Sequence, residues 1–297
     1  MTNERTKGYI AGLLSSATFG LIPLFTVPLM REGMETETIL IYRFGFATLL
    51  VALVMLQKRI SFRETAKHIR IIFIMSTLYF CSALFLINGY KVMTSGVATV
   101  IHFMYPLMVA LLMLIFFKQR MTRRGLISLG IAFLGVVFLS GILGGHGTQV
   151  RFTDMALVAF SGFCYAVYII VVNKTTIGTI PKWRLTFYLM LFSTLFFIGL
   201  SIGKQTLELP PTPRAWGLLF LLGLVPTLIS NLFLIVAIPL IGSTTTAIMG
   251  VLEPLTAVVV GITVLGEQLT LHSALGIGAV IIAVALLVSE KQPARRP

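Results

Sequence analysis

Glu253 is the residue best placed to do chemistry, because it is the acid that lies deepest within an apolar stretch. A charge at the bilayer centre costs roughly 2.5–3.5 kcal/mol on insertion scales, so such a residue is a functional candidate by default. Ser243, Thr246 and Gly250 precede it at spacings of three or four residues and predict a small or polar helix face. Pro254 lacks an N–H, so we expect the Gly250 carbonyl to lose its helical hydrogen bond. Such a site suits a cation, an amine or a proton; a helix-locking bond is the structural alternative.

His102 and Tyr105 form a matching pair in the first half of the chain. An offset of 148 residues aligns Tyr105 with Glu253 and His102 with Gly250. We therefore expect an imidazole, a phenol and a carboxylate to approach one central space. Histidine changes charge near neutral pH, which suits a proton-coupled step. A neutral histidine bonded to a neighbouring serine or threonine is the alternative interpretation.

Five further side chains complete the candidate substrate-binding set. Arg43 lies toward the outer end of its apolar segment, where it can snorkel to the interface, pair with an acid or hold a substrate carboxylate. Asn231 lies well inside another segment. Phe19 aligns with Tyr165 at an offset of 146, and Tyr168 follows one turn later. These three aromatic residues predict the walls of an amphipathic pocket.

Apolar segments of membrane-spanning length position these residues. The chain is 57% hydrophobic and 11% charged, with a mean hydropathy of +0.97, whereas a soluble domain is about one quarter charged. Each span needs roughly 20 apolar residues. The predicted spans are Gly8–Leu29, Ile39–Leu56, Ile69–Asn88, Ser95–Phe117, Gly125–Ile142, Asp154–Asn173, Arg184–Gly203, Ala215–Ile238, Ser243–Leu265 and Leu271–Ser289.

The ten spans divide into two sets of five that share one sequence register. Ser82-x-Leu84-Phe85-Leu86-Ile87 returns as Ser230-x-Leu232-Phe233-Leu234-Ile235. Because a unit with an odd number of crossings inserts its copy upside down, we predict an all-α integral membrane protein built from two inverted five-helix repeats, 1–148 and 149–297. Inverted repeats place a site near the bilayer midplane that opens alternately to either side, which is typical of transporters.

The basic residues predict the orientation. With the N-terminus inside, the cytoplasmic segments hold 17 Lys and Arg residues and the external loops hold five. The positive-inside rule therefore predicts a multi-pass protein of the inner (cytoplasmic) membrane with both termini cytoplasmic. The net charge of +13 is spread over short loops between apolar segments, which argues against a nucleic-acid partner.

Other chemistries lack the residues that they require. Cys81 and Cys164 lie inside apolar segments and predict neither a disulfide framework nor a metal site. The chain has no Gly-rich phosphate-binding loop with its Lys-Ser/Thr pair, so we expect no ATP-driven step. No His/Glu metal spacing or paired intramembrane Asp or Ser nucleophiles support an enzyme. We predict no catalytic residues, no cofactor and no metal.

Several motifs resemble those of one transporter family. The tract Gly96–Leu107 is similar to the fourth helix of the EamA-type transporters of the drug/metabolite transporter superfamily. Leu252–Leu255, Leu265–Thr270 and Gly276-x-Gly278 resemble its ninth and tenth helices, and Tyr42-Arg43-Phe44 is typical of its second. The resemblance covers essentially the whole chain. It implies ten helices, with the first, third, fourth, sixth, eighth and ninth lining a central cavity. It also implies export of amino acids or other metabolites, or movement of sugar-linked compounds.

The leading hypothesis is a secondary active transporter that exports or equilibrates a small organic metabolite, an amino acid or similar amphipathic solute, by alternating access. Proton coupling is part of the hypothesis, and the expected partners are that solute and the lipid bilayer. A flippase for lipid-linked or sugar-linked substrates and a non-transporting intramembrane enzyme are the alternatives. The sequence predicts neither the cargo nor the oligomeric state.

Overall fold

The computed structural model describes residues 2–118, 123–139, 151–175, 177, 180–242, 246, 249–250 and 252–288. Within these residues the regular secondary structure is entirely helical. Seven helical stretches are long and apolar enough to cross a membrane, and Leu252–Thr263 and Leu271–Ala283 are shorter apolar helices. Together with Arg123–Leu139 they form the ten spans of two inverted five-helix repeats.

The ten spans follow one another through short connections. Their helices are, in chain order, Thr2–Phe19 with Ile22–Arg31, Thr36–Gln57, Ala66–Val92, Ser95–His102 with Tyr105–Phe117, Arg123–Leu139, Phe152–Lys174, Lys182–Lys204, Pro213–Leu222 with Ser230–Ile241, Leu252–Thr263 and Leu271–Val288. The predicted spans agree with these helices in number and order. The predicted loop Gly144–Gly147 and the predicted stripe residue Ser243 lie outside the described residues.

Within the described residues, four spans depart from the uninterrupted helices that apolar periodicity predicted. One is the ninth, in which Gly250 lies in a turn before Leu252–Thr263. The first span breaks at Gly20-Leu21, just before Pro23, and the fourth breaks at Phe103-Met104, just before Pro106. The eighth span passes through a π-helical segment, Gly223–Ile229, that contains a proline. A proline cannot donate a helical hydrogen bond, and its ring crowds the preceding turn, so helices bend, widen or restart there. These breaks lie at the depth of the candidate residues.

The packing of the spans follows the repeat. The most extensive contacts join the fifth span to the tenth, the second to the seventh, the third to the sixth and the first to the eighth. A twofold operation that exchanges the halves maps the first two pairs onto themselves. It converts the third–sixth pair into the eighth–first pair. The two halves therefore interleave around a shared axis.

Ion pairs at both ends of the bundle show that the repeats are inverted. Lys204 ends the seventh span and bonds Glu37, which begins the second, at 2.7 Å. Arg184 begins the seventh span and reaches Glu64, which follows the second, at 3.1 Å. Equivalent spans thus run antiparallel. We call the two ends of the bundle the Glu37 face and the Glu64 face.

Glu64 links three segments at the face named after it. Its carboxylate, 7% exposed, contacts Arg184 and also the ring of His68 at 2.8 Å. The Thr65 backbone N–H, followed by His68 and Arg184, holds the pKa of the Glu64 carboxyl well below its usual range, at about 2. Tyr188 adds a hydrogen bond to the Phe62 carbonyl, at 2.6 Å. The connection between the second and third spans is therefore fastened to the seventh.

Candidate functional site

His102 and Glu253 face each other in the middle of the bundle. The imidazole Nε2 lies 3.9 Å from the carboxylate Oε1, and their side chains are 0% and 3% exposed. Neither atom has a hydrogen-bond partner among the described residues. A buried polar atom without a partner costs about 1–3 kcal/mol, so a partner shared by the two atoms would stabilise the pair. The gap is too long for a direct hydrogen bond, and a shared donor placed between the atoms would satisfy both.

Ser161 determines how the imidazole meets the carboxylate. Its hydroxyl oxygen lies 2.7 Å from Nδ1 of His102. If Nδ1 donates to Ser161, then Nε2 is an acceptor, and the two facing acceptors need a donor such as an ammonium group between them. If Ser161 donates instead, Nε2 carries the proton and can donate toward Glu253. A hydroxyl partner permits both tautomers, so the pair can exist in two protonation arrangements.

Aromatic rings enclose the pair. Phe19 stacks on His102 at 6.5 Å and on Tyr165 at 5.8 Å between ring centroids. Tyr105 meets Tyr165 edge-on at 4.8 Å, and Tyr165 stacks on Tyr168 at 5.8 Å. These rings come from the first, fourth and sixth spans, so both halves contribute. They form an apolar enclosure with phenol groups at its edge.

Arg43 forms a second buried charged pole in the bundle. It is 1% exposed, and its Nε donates to the Thr227 hydroxyl at 2.7 Å. Its guanidinium lies 5.2 Å from the centroid of the Phe44 ring. It forms no ion pair with any carboxylate in the described parts of the chain. The predicted alternatives of snorkelling and of a helix-locking ion pair are therefore wrong, because the side chain turns inward to Thr227 on the π-helical segment.

Tyr79 of the third span extends the aromatic cluster toward Arg43. Its ring meets that of Phe44, the residue after Arg43, edge-on at 5.7 Å between ring centroids. Tyr79 also contacts Tyr165 at 6.4 Å and Tyr168 at 5.3 Å. Tyr79, Tyr165 and Tyr168 thus form an aromatic wall that reaches the Phe44 ring beside the Arg43 guanidinium.

Asn231 lies beside this site and fastens helices together. Its Oδ1 accepts a hydrogen bond from the Tyr168 hydroxyl at 3.1 Å, and its Nδ2 donates to Thr186 at 3.5 Å. These bonds join the sixth, seventh and eighth spans. Because both ends of the amide already have partners, Asn231 and Tyr168 orient the aromatic wall.

The backbone around Glu253 differs from expectation. The Gly250 carbonyl, predicted to be free, accepts a hydrogen bond from the Glu253 N–H at 2.9 Å. A tighter turn, closed over three residues instead of four, replaces the bond that Pro254 cannot make. The prediction of a free carbonyl beside the carboxylate is therefore wrong. Glu253 instead lies in the first turn of Leu252–Thr263, where the helix dipole favours an anion.

Two glycines permit the close helix contacts that set the distance between His102 and Glu253. A Cβ at Gly162 would lie 2.6 Å from the His102 carbonyl oxygen, and one at Gly20 would lie 2.5 Å from that of Glu253. Real Cβ atoms do not approach backbone that closely. Gly20 in the first half therefore packs against the Glu253 backbone, and Gly162 in the second half packs against the His102 backbone.

We expect Gly162→Ala to destabilise the protein by roughly 1–3 kcal/mol through overpacking and to lower its Tm in detergent. Gly199→Ala is the matched control, because a Cβ at that helical glycine meets nothing within 4 Å. Alanine should stabilise that helix slightly. A Gly162→Ala protein as stable as Gly199→Ala would contradict the close approach.

The eight predicted site residues form one buried region, each at most 8% exposed. Phe19, His102, Tyr105, Tyr165 and Glu253 form its centre, and Arg43, Tyr168 and Asn231 border it. The structure adds Tyr79, Ser161 and Thr227, which were not predicted. Their only signal in the sequence is that each is a polar group within an apolar span.

Comparisons with known proteins identify the family of this chain. A model of the EamA-like transporter family matches residues 6–141 and again residues 153–289. An uncharacterized transporter from Archaeoglobus fulgidus is 27% identical over 260 residues, which cover 84% of this chain and 87% of that protein. One solved structure, described only as the crystal structure of a protein, superposes on this chain with a TM-score of 0.71 and 12% sequence identity. The superposition covers 95% of this chain and 97% of that chain, which shows a common fold. The chain therefore belongs to the EamA-like transporter family and is a multi-span membrane transporter.

Proposed function

We propose that this protein is a secondary transporter that moves a small organic metabolite by alternating access and couples its movement to protons. The observation that carries the proposal is the His102–Glu253 pair, whose facing atoms lie 3.9 Å apart in the closed interior. Within the described residues, both atoms lack a hydrogen-bond partner. A substrate ammonium group that donates to both atoms would satisfy both.

The two poles of the site suit an amphipathic zwitterion such as an amino acid. Glu253 can hold an ammonium group, and Arg43 can hold a carboxylate. The aromatic rings of Phe19, Tyr105 and Tyr165 can pack against an apolar side chain. Arg43 and Glu253 have no carboxylate or cation partner within 4.0 Å in the described chain, apart from the His102 contact, so their charges remain for a ligand.

Contacts at both faces supply the gates. At the Glu37 face, Arg31 donates to the Leu265 carbonyl at 2.9 Å, and Glu267 accepts from the Ser95 N–H at 2.8 Å. At the Glu64 face, Arg184 bonds the opposite half, as described above. All these contacts join one repeat to the other. Breaking the contacts at one face while keeping those at the other would open the site to one side.

Proton coupling follows from exchange at Glu253. In the absence of substrate, a proton on the carboxyl group would avoid the cost of a bare buried charge. A substrate ammonium would replace that proton when it binds. Proton and cationic group would then occupy the same site in alternate half-cycles, which is an antiport mechanism.

The orientation and the division into repeats belong to the same proposal. The Lys and Arg distribution supports an inner-membrane protein with both termini and the Glu64 face in the cytoplasm. With a proton gradient directed inward, antiport would export the solute. The family matches to 6–141 and 153–289 support two five-helix repeats that meet near residue 148.

Counterflow in proteoliposomes tests the proposal. Vesicles loaded with an unlabelled apolar amino acid should accumulate the same labelled amino acid transiently. The corresponding amine without a carboxylate and the corresponding acid without an amine should exchange at least about tenfold less well, since each lacks one charged contact. Exchange of none of a panel of amino acids, or equal exchange of all three compounds, would contradict a two-pole site.

A further inference from the structure

A groove on the outer surface of the bundle lies apart from the central site. Its cavity of about 470 Å³ is bordered by the first, seventh and eighth spans and falls within the size range of small-ligand sites. Its lining is apolar except at one end. The lining residues are Lys7, Ile10, Ala11, Lys182, Ile229, Leu232, Phe233 and Val236.

The charged end of the groove is at the Glu64 face. Lys7 lies near the start of the first span, and Lys182 begins the seventh. Lys182 makes no ion pair with a residue that the structure describes, and Lys7 pairs with the exposed Glu4. An exposed pair of this kind contributes little and exchanges readily for another anion. Two cations therefore flank the mouth of an apolar groove.

Trp183 marks the depth of those cations in the membrane. The Lys182 ammonium lies 6.0 Å from the centroid of the Trp183 ring, and the Lys58 ammonium lies 5.1 Å from the same centroid. Tryptophan and lysine together are typical of the headgroup level of a bilayer. From Val236 to Ile229 the groove runs roughly 10 Å along the eighth span toward the bilayer centre, at about 1.5 Å per residue.

The groove shares no lining residue with the central site. Ser230 donates to the Ser15 carbonyl at 2.9 Å, and the two hydroxyl oxygens lie 3.4 Å apart. This contact seals the first span against the eighth at the inner end of the groove. A ligand in the groove therefore meets the surface of the first and eighth spans and not the His102–Glu253 pair.

We propose that this groove binds an anionic membrane phospholipid, with the phosphate between Lys7 and Lys182 and one acyl chain along Ile10, Leu232 and Phe233. Basic pockets between spans are typical sites for acidic headgroups. The lipid bridges the first and eighth spans, which contact each other across the two repeats. It is a bound ligand and not the cargo.

Native mass spectrometry and thermal unfolding of the full-length protein in detergent test this site. Phosphatidylglycerol and phosphatidylcholine with identical acyl chains are the probes. We expect the wild type to prefer phosphatidylglycerol by about tenfold, from two lysines near one phosphate. Lys7→Gln with Lys182→Gln should abolish the preference. Lys67→Gln with Arg70→Gln removes the same charge from exposed positions on the same face and should leave the preference intact.

A second variant tests the apolar part of the groove without changing charge. Leu232→Trp fills it at a half-buried position and should weaken binding of both lipids. Glycerol 3-phosphate, which has a phosphate but no acyl chain, should not raise the Tm.

Equal lipid preference in the two double variants, or stabilisation by glycerol 3-phosphate alone, would overturn the proposal. Transfer of fluorescent phosphatidylglycerol across proteoliposome membranes by the protein would overturn it as well, because the lipid would then be cargo. None of these outcomes depends on amino-acid counterflow.

Discussion

Glu253→Gln should eliminate uptake driven by a pH gradient while the protein still inserts and folds. The amide has nearly the same shape as the carboxyl group but cannot exchange a proton or neutralise an ammonium. Loss of a charged hydrogen bond to substrate should also raise the half-saturation concentration by at least about tenfold. Residual counterflow at high substrate concentration should then be the same at all pH values.

The measurement is uptake of labelled substrate into proteoliposomes, with and without a pH gradient, alongside counterflow. Glu208→Gln is the matched control, because Glu208 is exposed and the amide keeps an oxygen for the Glu35 N–H that it accepts. Its uptake should equal that of the wild type. If Glu253→Gln responds to the gradient like the wild type at every pH, Glu253 is a structural residue. The coupling would then lie with His102 or be absent.

Arg43→Gln should give the second-largest loss, and the loss should depend on the substrate. A neutral side chain cannot neutralise a substrate carboxylate, so exchange of the amino acid should fall at least about tenfold. Exchange of the corresponding amine, which has no carboxylate, should be unchanged relative to the wild-type rate for that amine. Glutamine keeps a donor that can reach Thr227, so the local structure should persist.

Thr227→Val separates the binding role of Arg43 from its packing role. It removes the hydroxyl that accepts from Nε at 2.7 Å while the guanidinium charge remains. We expect an intermediate loss of amino-acid exchange, because the charge is present but no longer held in place. Equal losses for the amine and the amino acid in Arg43→Gln would show that Arg43 only stabilises the fold, and the Tm of each variant would then report that role directly.

The arrangement of the spans was accessible from the sequence because it depends on long apolar segments and on one repeated register. The offset that aligns Tyr105 with Glu253 predicted that their spans approach one another. His102 and Glu253 do face each other across the fourth and ninth spans. Hydrophobic periodicity and the odd number of spans in each half suffice to predict which spans approach one another.

Local backbone geometry was not accessible in the same way. The breaks at Gly20-Leu21 and Phe103-Met104 depend on how glycine and proline combine with tertiary contacts, and apolar periodicity runs through them unchanged. The sequence left the interface, an acid and a substrate carboxylate open as partners of Arg43. The bond to Thr227 was not predicted, because that hydroxyl lies on another span 184 residues away. The contact between Ser161 and His102 was not predicted for a similar reason, since a serine in an apolar helix usually bonds its own backbone.

Simultaneous recording of solute and proton flux through the wild-type protein tests the central claim most directly. Proteoliposomes with an entrapped pH indicator would receive a labelled amino acid that supports counterflow. Proton-coupled alternating access predicts that solute and protons cross the membrane in opposite directions in a fixed ratio. It also predicts that a pH gradient alone drives accumulation of the solute above its concentration on the other side of the membrane. Solute movement without proton flux, and without any response to the gradient, would contradict it.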